Sequence, residues 1–232
     1  MKIPRIIHQT WKNHDIPEAF GKMALSWQEM HKDWKYLFWT DEMNRNFIKE
    51  HFDFFLHVYD NYPHPIQRVD AVRYFLLLKY GGFYIDMDFE CLANIDPIVR
   101  DSSCVFGKEP VEHCVRHGKD YIISNAFMGA VPNFHFFDRL CKELQKNKKV
   151  TDRPNDTILE STGPFMLSDL YENYEKKEDI HVLEPDIMYP LTKDDLCVME
   201  SGSQTPAILN KLKSAYGIHY YSGTWWKDKC YG

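Results

Sequence analysis

The chain has 232 residues, 44% of them hydrophobic, 15% aromatic and 27% charged. That is ample apolar surface for one packed core and too little length for two, which excludes an intrinsically disordered chain, a coiled coil and a two-domain protein. With 28 basic against 34 acidic residues the formal charge is −6, a field that does not attract a phosphate backbone and argues against nucleic acid as partner.

The opening Met1-Lys2-Ile3-Pro4-Arg5-Ile6-Ile7-His8 has no long apolar stretch followed by a cleavage site, so no secretory signal is expected. Ile3 to Thr10 reads as a strand, Glu18 to His31 as a helix and Tyr36 to Trp39 as a second strand. Thr40-Asp41 stands where an N-cap belongs, ahead of a helix over Glu42 to Glu50. Val69, Val72, Leu76 and Lys79 recur at helical spacing and predict a helix from Ile66 to Lys79, stopped by Gly81-Gly82. Its greasiest run, Tyr74 to Leu78, lies between Arg73 and Lys79 and is far short of the roughly 20 apolar residues a bilayer span requires, so no transmembrane segment is expected.

Phe83-Tyr84-Ile85 reads as a buried strand that delivers the chain into Asp86-Met87-Asp88. Further strands are expected at Cys104-Val105-Phe106, Tyr121-Ile122-Ile123, Ile187-Met188-Tyr189 and Gly217 to Tyr221, and further helices at Asn133 to Lys148 and Gly163 to Tyr174. The alternation predicts a single α/β domain over 1–232, its mostly parallel central sheet flanked by helices and its ligands bound beyond the carboxyl ends of the strands. Cys91, Cys104, Cys114, Cys141, Cys197 and Cys230 lack CxxC spacing in a chain too large to need disulfide staples, and read as reduced thiols of a cytoplasmic protein.

The chemistry concentrates after the third predicted strand. Period-2 geometry puts the carboxylates of Asp86 and Asp88 on one side. Two like charges held together call for a cation, and a hard divalent metal with few fixed ligands draws its remaining oxygens from a substrate such as a diphosphate. Asp70 and Arg73, three apart on the preceding helix, read either as a surface ion pair or as part of the same site.

The unit from Arg68-Val69-Asp70-Ala71-Val72-Arg73 through Gly81-Gly82-Phe83-Tyr84-Ile85-Asp86-Met87-Asp88 resembles the DXD-containing glycosyltransferases of the Och1-like mannosyltransferase and capsular-polysaccharide transferase group (glycosyltransferase family 32). Ile3 to Trp11, Ser124 to Ala130, Thr162-Gly163-Pro164 and His219 to Trp226 are similar to further blocks of that group. The site spacing is also similar to that of the large clostridial glucosylating toxins. The resemblance implies a GT-A type, Rossmann-like fold, a nucleotide-sugar donor (a UDP- or GDP-hexose), Mn2+ or Mg2+, and hexosyl transfer with retention to a glycan or lipid-linked saccharide.

By position it implies that Trp11 stacks on the base, that Asp70 and Arg73 hold the donor sugar, and that Asp86 contacts ribose, sugar or the metal shell. It further implies that Asp88 binds the metal, that His219 and Ser222 complete its coordination, and that Trp225, or Trp226 in the same role, closes over the diphosphate. Gly223-Thr224 precedes Trp225 where the group more often has a serine. Asn125 lies in a matching block, placed to face the sugar in a same-face reaction without a covalent intermediate. Taken singly, Trp11 also reads as a core aromatic and His219 as a hydrogen-bonded polar residue. The competing readings are a metal-assisted phosphodiesterase or pyrophosphatase built on Asp86 and Asp88, and a silent nucleotide-sugar-binding protein. The basic stretch Lys142 to Lys149 reads as a solvated helix end, and as a contact for anionic headgroups at the inner face of a membrane where the acceptor is lipid-linked.

Overall fold

The computed structural model describes residues 2–146 and 149–224. Strand β1 (Ile6–Thr10), helix α1 (Glu18–Met30) and strand β2 (Lys35–Trp39) open the chain as its pattern predicts. The Thr40 hydroxyl accepts the Met43 N–H at 3.2 Å and starts α2 (Asp41–His51), followed by α3 (Asp53–Asp60). Helix α4 (Pro65–Tyr80) begins with proline at its first turn and a reciprocal cap between His64 and Gln67. It is buried on nearly every side, Asp70 and Arg73 included, so the surface-pair reading of those two residues fails.

Next come β3 (Gly82–Ile85), β4 (Phe89–Cys91), α5 (Asp96–Val99), β5 (Cys104–Lys108) and α6 (Val111–Arg116). The chain continues through β6 (Ile123–Ala130), α7 (His135–Lys146), α8 (Pro154–Ser161), α9 (Pro164–Glu172), β7 (His181–Leu183) and α10 (Pro185–Met188). It closes with α11 (Lys193–Glu200), α12 (Pro206–Leu212) and β8 (Gly217–His219).

The main sheet has the order β2-β1-β3-β6-β5-β7. All neighbours are parallel except at β6, which runs against both β3 and β5, so the sheet is mostly parallel with one reversed central strand. Alternate residues serve opposite faces: Tyr84, Phe106 and Met128 pack toward α4 and α7, while Phe83, Ile85, Val105 and Phe127 pack toward α1 and α10. A fully buried phenylalanine contributes roughly 1.5–3 kcal/mol, and both faces are covered in this way. Strands β4 and β8 pair antiparallel in a small second sheet beside α1.

Several boundaries differ from the sequence pattern, beginning with β1, which starts at Ile6 rather than Ile3. The strand expected at Tyr121-Ile122-Ile123 begins at Ile123 and runs on to Ala130, a continuous buried stretch. The strand expected at Ile187-Met188-Tyr189 is instead the end of α10, because Pro185 starts a helical turn that the Tyr189 N–H closes on the Pro185 carbonyl at 2.7 Å. The last strand stops at His219, and Tyr221 (φ 47°) takes the chain out of extended geometry. Cys91, Cys104, Cys114 and Cys141 are buried free thiols, Cys197 is exposed, and Cys230 lies outside the described residues.

Candidate functional site

Two glycines bring the site together. Gly81 (φ 63°) and Gly82 (φ 86°) occupy the left-handed region, and a Cβ would sit 2.7 Å from the Ala130 carbonyl oxygen at the first and 2.6 Å from the Ile6 carbonyl oxygen at the second. The chain thus leaves α4 and enters the sheet between β1 and β6 within two residues. His8 braces the turn: its Nε2 donates to the Gly81 carbonyl at 3.0 Å and its Nδ1 accepts from the Trp39 indole at 3.1 Å. Burial pushes that imidazole down to about 4, so it is neutral.

Strand β3 ends at Ile85. Asp86 donates its N–H to the Ala126 carbonyl at 2.9 Å, and the Phe89 N–H returns to the Asp86 carbonyl at 3.2 Å. Asp86 and Asp88 therefore meet across a turn rather than by strand alternation, which corrects the geometry expected from their spacing while keeping their proximity.

Behind this turn lies a buried polar cluster. Arg73 on α4 reaches the Asp70 carboxylate at 3.0 Å and the Asp86 carboxylate at 3.2 Å, donates to the Asn125 carbonyl at 2.7 Å, and lies 4.6 Å from the centre of the Tyr84 ring. Asp70 also accepts from the Asn125 amide and the Thr162 hydroxyl, each at 3.0 Å, and the Tyr84 hydroxyl donates to Asp86 at 3.1 Å. Burial pushes the Asp70 carboxyl up to about 6 against the pull of Arg73, leaving it ionised at neutral pH. Burial likewise raises Asp86, partly offset by Arg73 and reinforced by the Asp88 charge. Burial opposes the Arg73 charge too, but its acidic and tyrosine neighbours raise it, so it stays cationic.

The outer part is assembled from the distal chain. His219 at the end of β8 places Nε2 3.2 Å from Asp88, and the Ser222 N–H donates to the other Asp88 oxygen at 2.8 Å. Burial would raise the Asp88 carboxyl; His219 and the Ser222 hydrogen bonds outweigh it and hold the group at about 2. Burial would lower His219, and Asp88 reverses that. One ligand atom from each of Asp86, Asp88 and His219 falls within 4.8 Å of the others. Two carboxylates and an imidazole suit a divalent transition ion, and the buried His219 Nδ1 has no hydrogen-bond partner among the described residues, so the donor set fits the cation that the motif implies. Trp225, expected over the diphosphate, and its alternative Trp226 lie outside the described residues.

Seven of these side chains, Asp70, Arg73, Tyr84, Asp86, Asp88, Asn125 and His219, line one cleft of about 380 Å³, whereas Thr162 and Ser222 do not. Trp11, half-buried just past β1, lines one end with its ring 4.9 Å from Phe20. Asp70, Arg73, Asp86, Asp88, Asn125 and His219 line the middle. A further wall of the cleft, formed by Glu109, His113, Arg116, Lys193 and Tyr221, carries no reading from the sequence, and Tyr221 packs against His219 with ring centres 4.3 Å apart. Its one local signal is a glutamate and a histidine four apart directly after a strand.

Residues 17–105 match the family described as "Glycosyltransferase sugar-binding region containing DXD motif". Inositol phosphoceramide mannosyltransferase 2 of Schizosaccharomyces pombe is 40% identical over 175 residues, 75% of this chain and 48% of that protein. Its relatives are glycosyltransferases. Mannosyl phosphorylinositol ceramide synthase SUR1 of Saccharomyces cerevisiae is 39% identical over 79% of this chain and 47% of its own length, so the chain spans about half the length of the curated relatives it matches. The ligand-free glycosyltransferase domain of the YGT toxin superposes with a TM-score of 0.57 at 10% identity, covering 91% of this chain and 88% of that one, a likeness of fold. The resemblance drawn from the motifs is borne out, as is the mixed α/β, GT-A type architecture.

Proposed function

We propose that the chain transfers a hexose, mannose in the first instance, from a nucleotide sugar to a hydroxyl of an inositol-phosphate-bearing lipid or a related glycan, with retention at the anomeric carbon. The observation that carries this reading is the convergence of Asp86, Asp88 and His219 beside the buried Arg73. Sheet order supports it: Trp11 follows β1, Asp86 follows β3, Asn125 lies near the start of the reversed β6, and Glu109 follows β5. These stations span three strand spacings, about 14 Å, giving an order of base, diphosphate, sugar and acceptor along the carboxyl edge.

A divalent cation held by Asp86, Asp88 and His219 would supply charge neutralisation for the departing nucleoside diphosphate. Arg73 adds fixed positive charge beside that leaving group in a site where little reorganisation is required. Trp11 offers an aromatic face for the base. Both Asp70 oxygens already accept hydrogen bonds from Asn125 and Thr162, so Asp70 orients a donor-sugar hydroxyl rather than attacking carbon. With that carboxylate committed, departure and attack on one face of the sugar account for retention.

Melting the protein with UDP- and GDP-hexoses, each with and without Mn2+, tests the reading. A ligand at one hundred times its Kd adds about 2.7 kcal/mol to the stability of the folded state. A donor that stabilises only with the cation, followed by sugar found on the acceptor, supports transfer. Nucleoside monophosphate plus sugar phosphate as products would favour a pyrophosphatase instead.

A further inference from the structure

Asp88 is gripped by a segment that bends sharply between its two points of contact. The Tyr220 N–H donates to the Asp88 carbonyl at 2.9 Å, one residue beyond the Phe89–His219 pair that ends the β4–β8 ladder. Donors two residues apart on an extended strand point the same way but lie about 6.6 Å apart along it, so a straight chain would carry the Ser222 N–H past Asp88. It donates instead to the Asp88 carboxylate at 2.8 Å, because Tyr221 between them is in the left-handed region (φ 47°) and turns the second donor back onto the same residue. That conformation strains a residue that carries a Cβ. Two residues on, the chain meets the same demand with Gly223 (φ 53°). A tyrosine at 221 bears a backbone cost that glycine would avoid, and the compensation lies in its side chain.

The ring of Tyr221 is wedged between two imidazoles. On one side lies His219, with ring centres 4.3 Å apart, and on the other His113, edge-on at 4.6 Å. His113 is itself held, since its Nδ1 donates to Glu109 at 3.1 Å and its Nε2 accepts the Lys193 N–H at 3.4 Å. A histidine that binds a metal is ordinarily oriented by a hydrogen bond from its second ring nitrogen. His219 has Nε2 at 3.2 Å from Asp88, and its Nδ1 has no partner among the described residues, so packing has to fix the imidazole. Three rings do so: Phe89 stacked at 5.3 Å, Tyr189 edge-on at 5.8 Å, and Tyr221, the nearest of them. The Tyr221 hydroxyl is likewise buried without a partner among the described residues, so none of this grip runs through the oxygen.

Resting on the reading of Asp86, Asp88 and His219 as a cation seat, we infer that Tyr221 is a positioning residue for that seat. Its left-handed backbone brings a second donor to Asp88, and its ring keeps the His219 imidazole turned toward the carboxylates. Ligands already in place when the ion arrives bind it more tightly than ligands the ion must order, because that ordering no longer opposes binding. Backbone and aromatic shape carry the effect, both of which phenylalanine reproduces, whereas glycine reproduces the backbone alone.

The test is the Mn2+ affinity of the full chain, read from the electron paramagnetic resonance signal of the free ion, without nucleotide and with UDP or GDP present. Tyr221→Gly keeps the left-handed backbone free of strain and removes the ring, and should weaken Mn2+ by about tenfold or more. Tyr221→Phe keeps the ring and should bind within about threefold of the parent. Melting supplies a second readout. The rise in melting temperature that a fixed Mn2+ concentration produces should shrink in Tyr221→Gly and persist in Tyr221→Phe. A residue needed only for stability would lower the melting temperature of the cation-free protein and leave that rise alone. Should the glycine variant lose its cooperative melt, Tyr221→Leu, apolar but without the planar ring, takes its place, with binding weakened by about fivefold or more. Affinity equal to the parent's in the folded ring-less variant, or a loss in Tyr221→Phe as large as in that variant, overturns the inference. The two readings fail differently: a parent that binds Mn2+ no better than the ring-less variant removes Tyr221 alone, and a parent that binds no Mn2+ with or without either nucleotide removes the cation seat and this role with it.

Discussion

Asp70 and Asp88 are acids of the same cleft in opposite settings. Asp70 sits in the inner cluster, where burial lifts its carboxyl to about 6 even with Arg73 at 3.0 Å. Asp88 sits in the outer cluster, where His219 and Ser222 overcome burial and hold it at about 2. The inner cluster grows mainly from one helix, one glycine turn and the neighbouring strand β6. The outer cluster depends on partners 131 and 134 residues away. One half is thus part of the core and the other a late addition to it, and variants should separate the two.

The sharpest separation is expected from Asp88→Ala. Losing a carboxylate that holds the cation should lower transfer by about a thousandfold or more, roughly 4 kcal/mol of transition-state stabilisation, with the far-UV spectrum unchanged. Turnover within tenfold of the parent would remove Asp88 from the chemistry.

Arg73→Met should act mainly on the inner half, through stability. It leaves Asp70 and Asp86 without their shared cation, a loss of about 3–5 kcal/mol by urea denaturation. A loss under 1 kcal/mol would show that the buried charges are compensated by other means.

A third prediction concerns acid. His8 is lowered from 6.5 to about 4, so its contribution is complete above pH 6.5 and disappears as the pH falls toward 4. Asp70 is raised from 3.8 to about 6, so its ionisation costs stability as pH rises through that window, and acidification returns it. The two oppose each other across much of the same range. In Asp70→Asn that opposing contribution is gone, and stability should fall more steeply between pH 6.5 and 4 than in the parent. Parallel pH profiles for the two proteins would contradict the opposing signs.

The smallest effect expected is that of Thr162→Val, which removes one donor to Asp70 while keeping shape. It should cost about 1–2 kcal/mol in denaturation and leave nucleoside diphosphate binding with Mn2+ in place, since Thr162 touches the inner half alone. A larger effect on nucleotide affinity than on stability would join the halves that the comparison separates.

Much of the inner half was legible from sequence because it is local. Helical periodicity, a Gly-Gly stop and a short apolar strand fix the order of Asp70, Arg73, Asp86 and Asp88 within 19 consecutive positions of the chain. The burial of Asp70 and Arg73 was not legible, because α4 is enclosed by α7, α8 and β6 from distant parts of the chain, and no i,i+3 spacing records that. The resemblance, rather than any spacing, brought His219 and Ser222 to Asp88. Thr162 carries no role in the sequence pattern, since only its hydroxyl contact across 92 residues gives it one. By pattern Tyr84 fills a buried strand, yet its hydroxyl donates to Asp86. The reversal of β6 left no local trace either: its eight buried residues read equally well in either direction.

The pairing of β4 with β8 has a consequence for the order in which the protein is made. A growing chain that has left the ribosome as far as β7 already contains every strand of the main sheet, along with Asp70, Arg73 and both acids of the DXD turn. Its seat for a cation stays open on one side until β8 docks and brings the imidazole at 219 with it. Premature release would therefore yield a chain that holds every strand of the main sheet but lacks one of the three groups that converge on the ion.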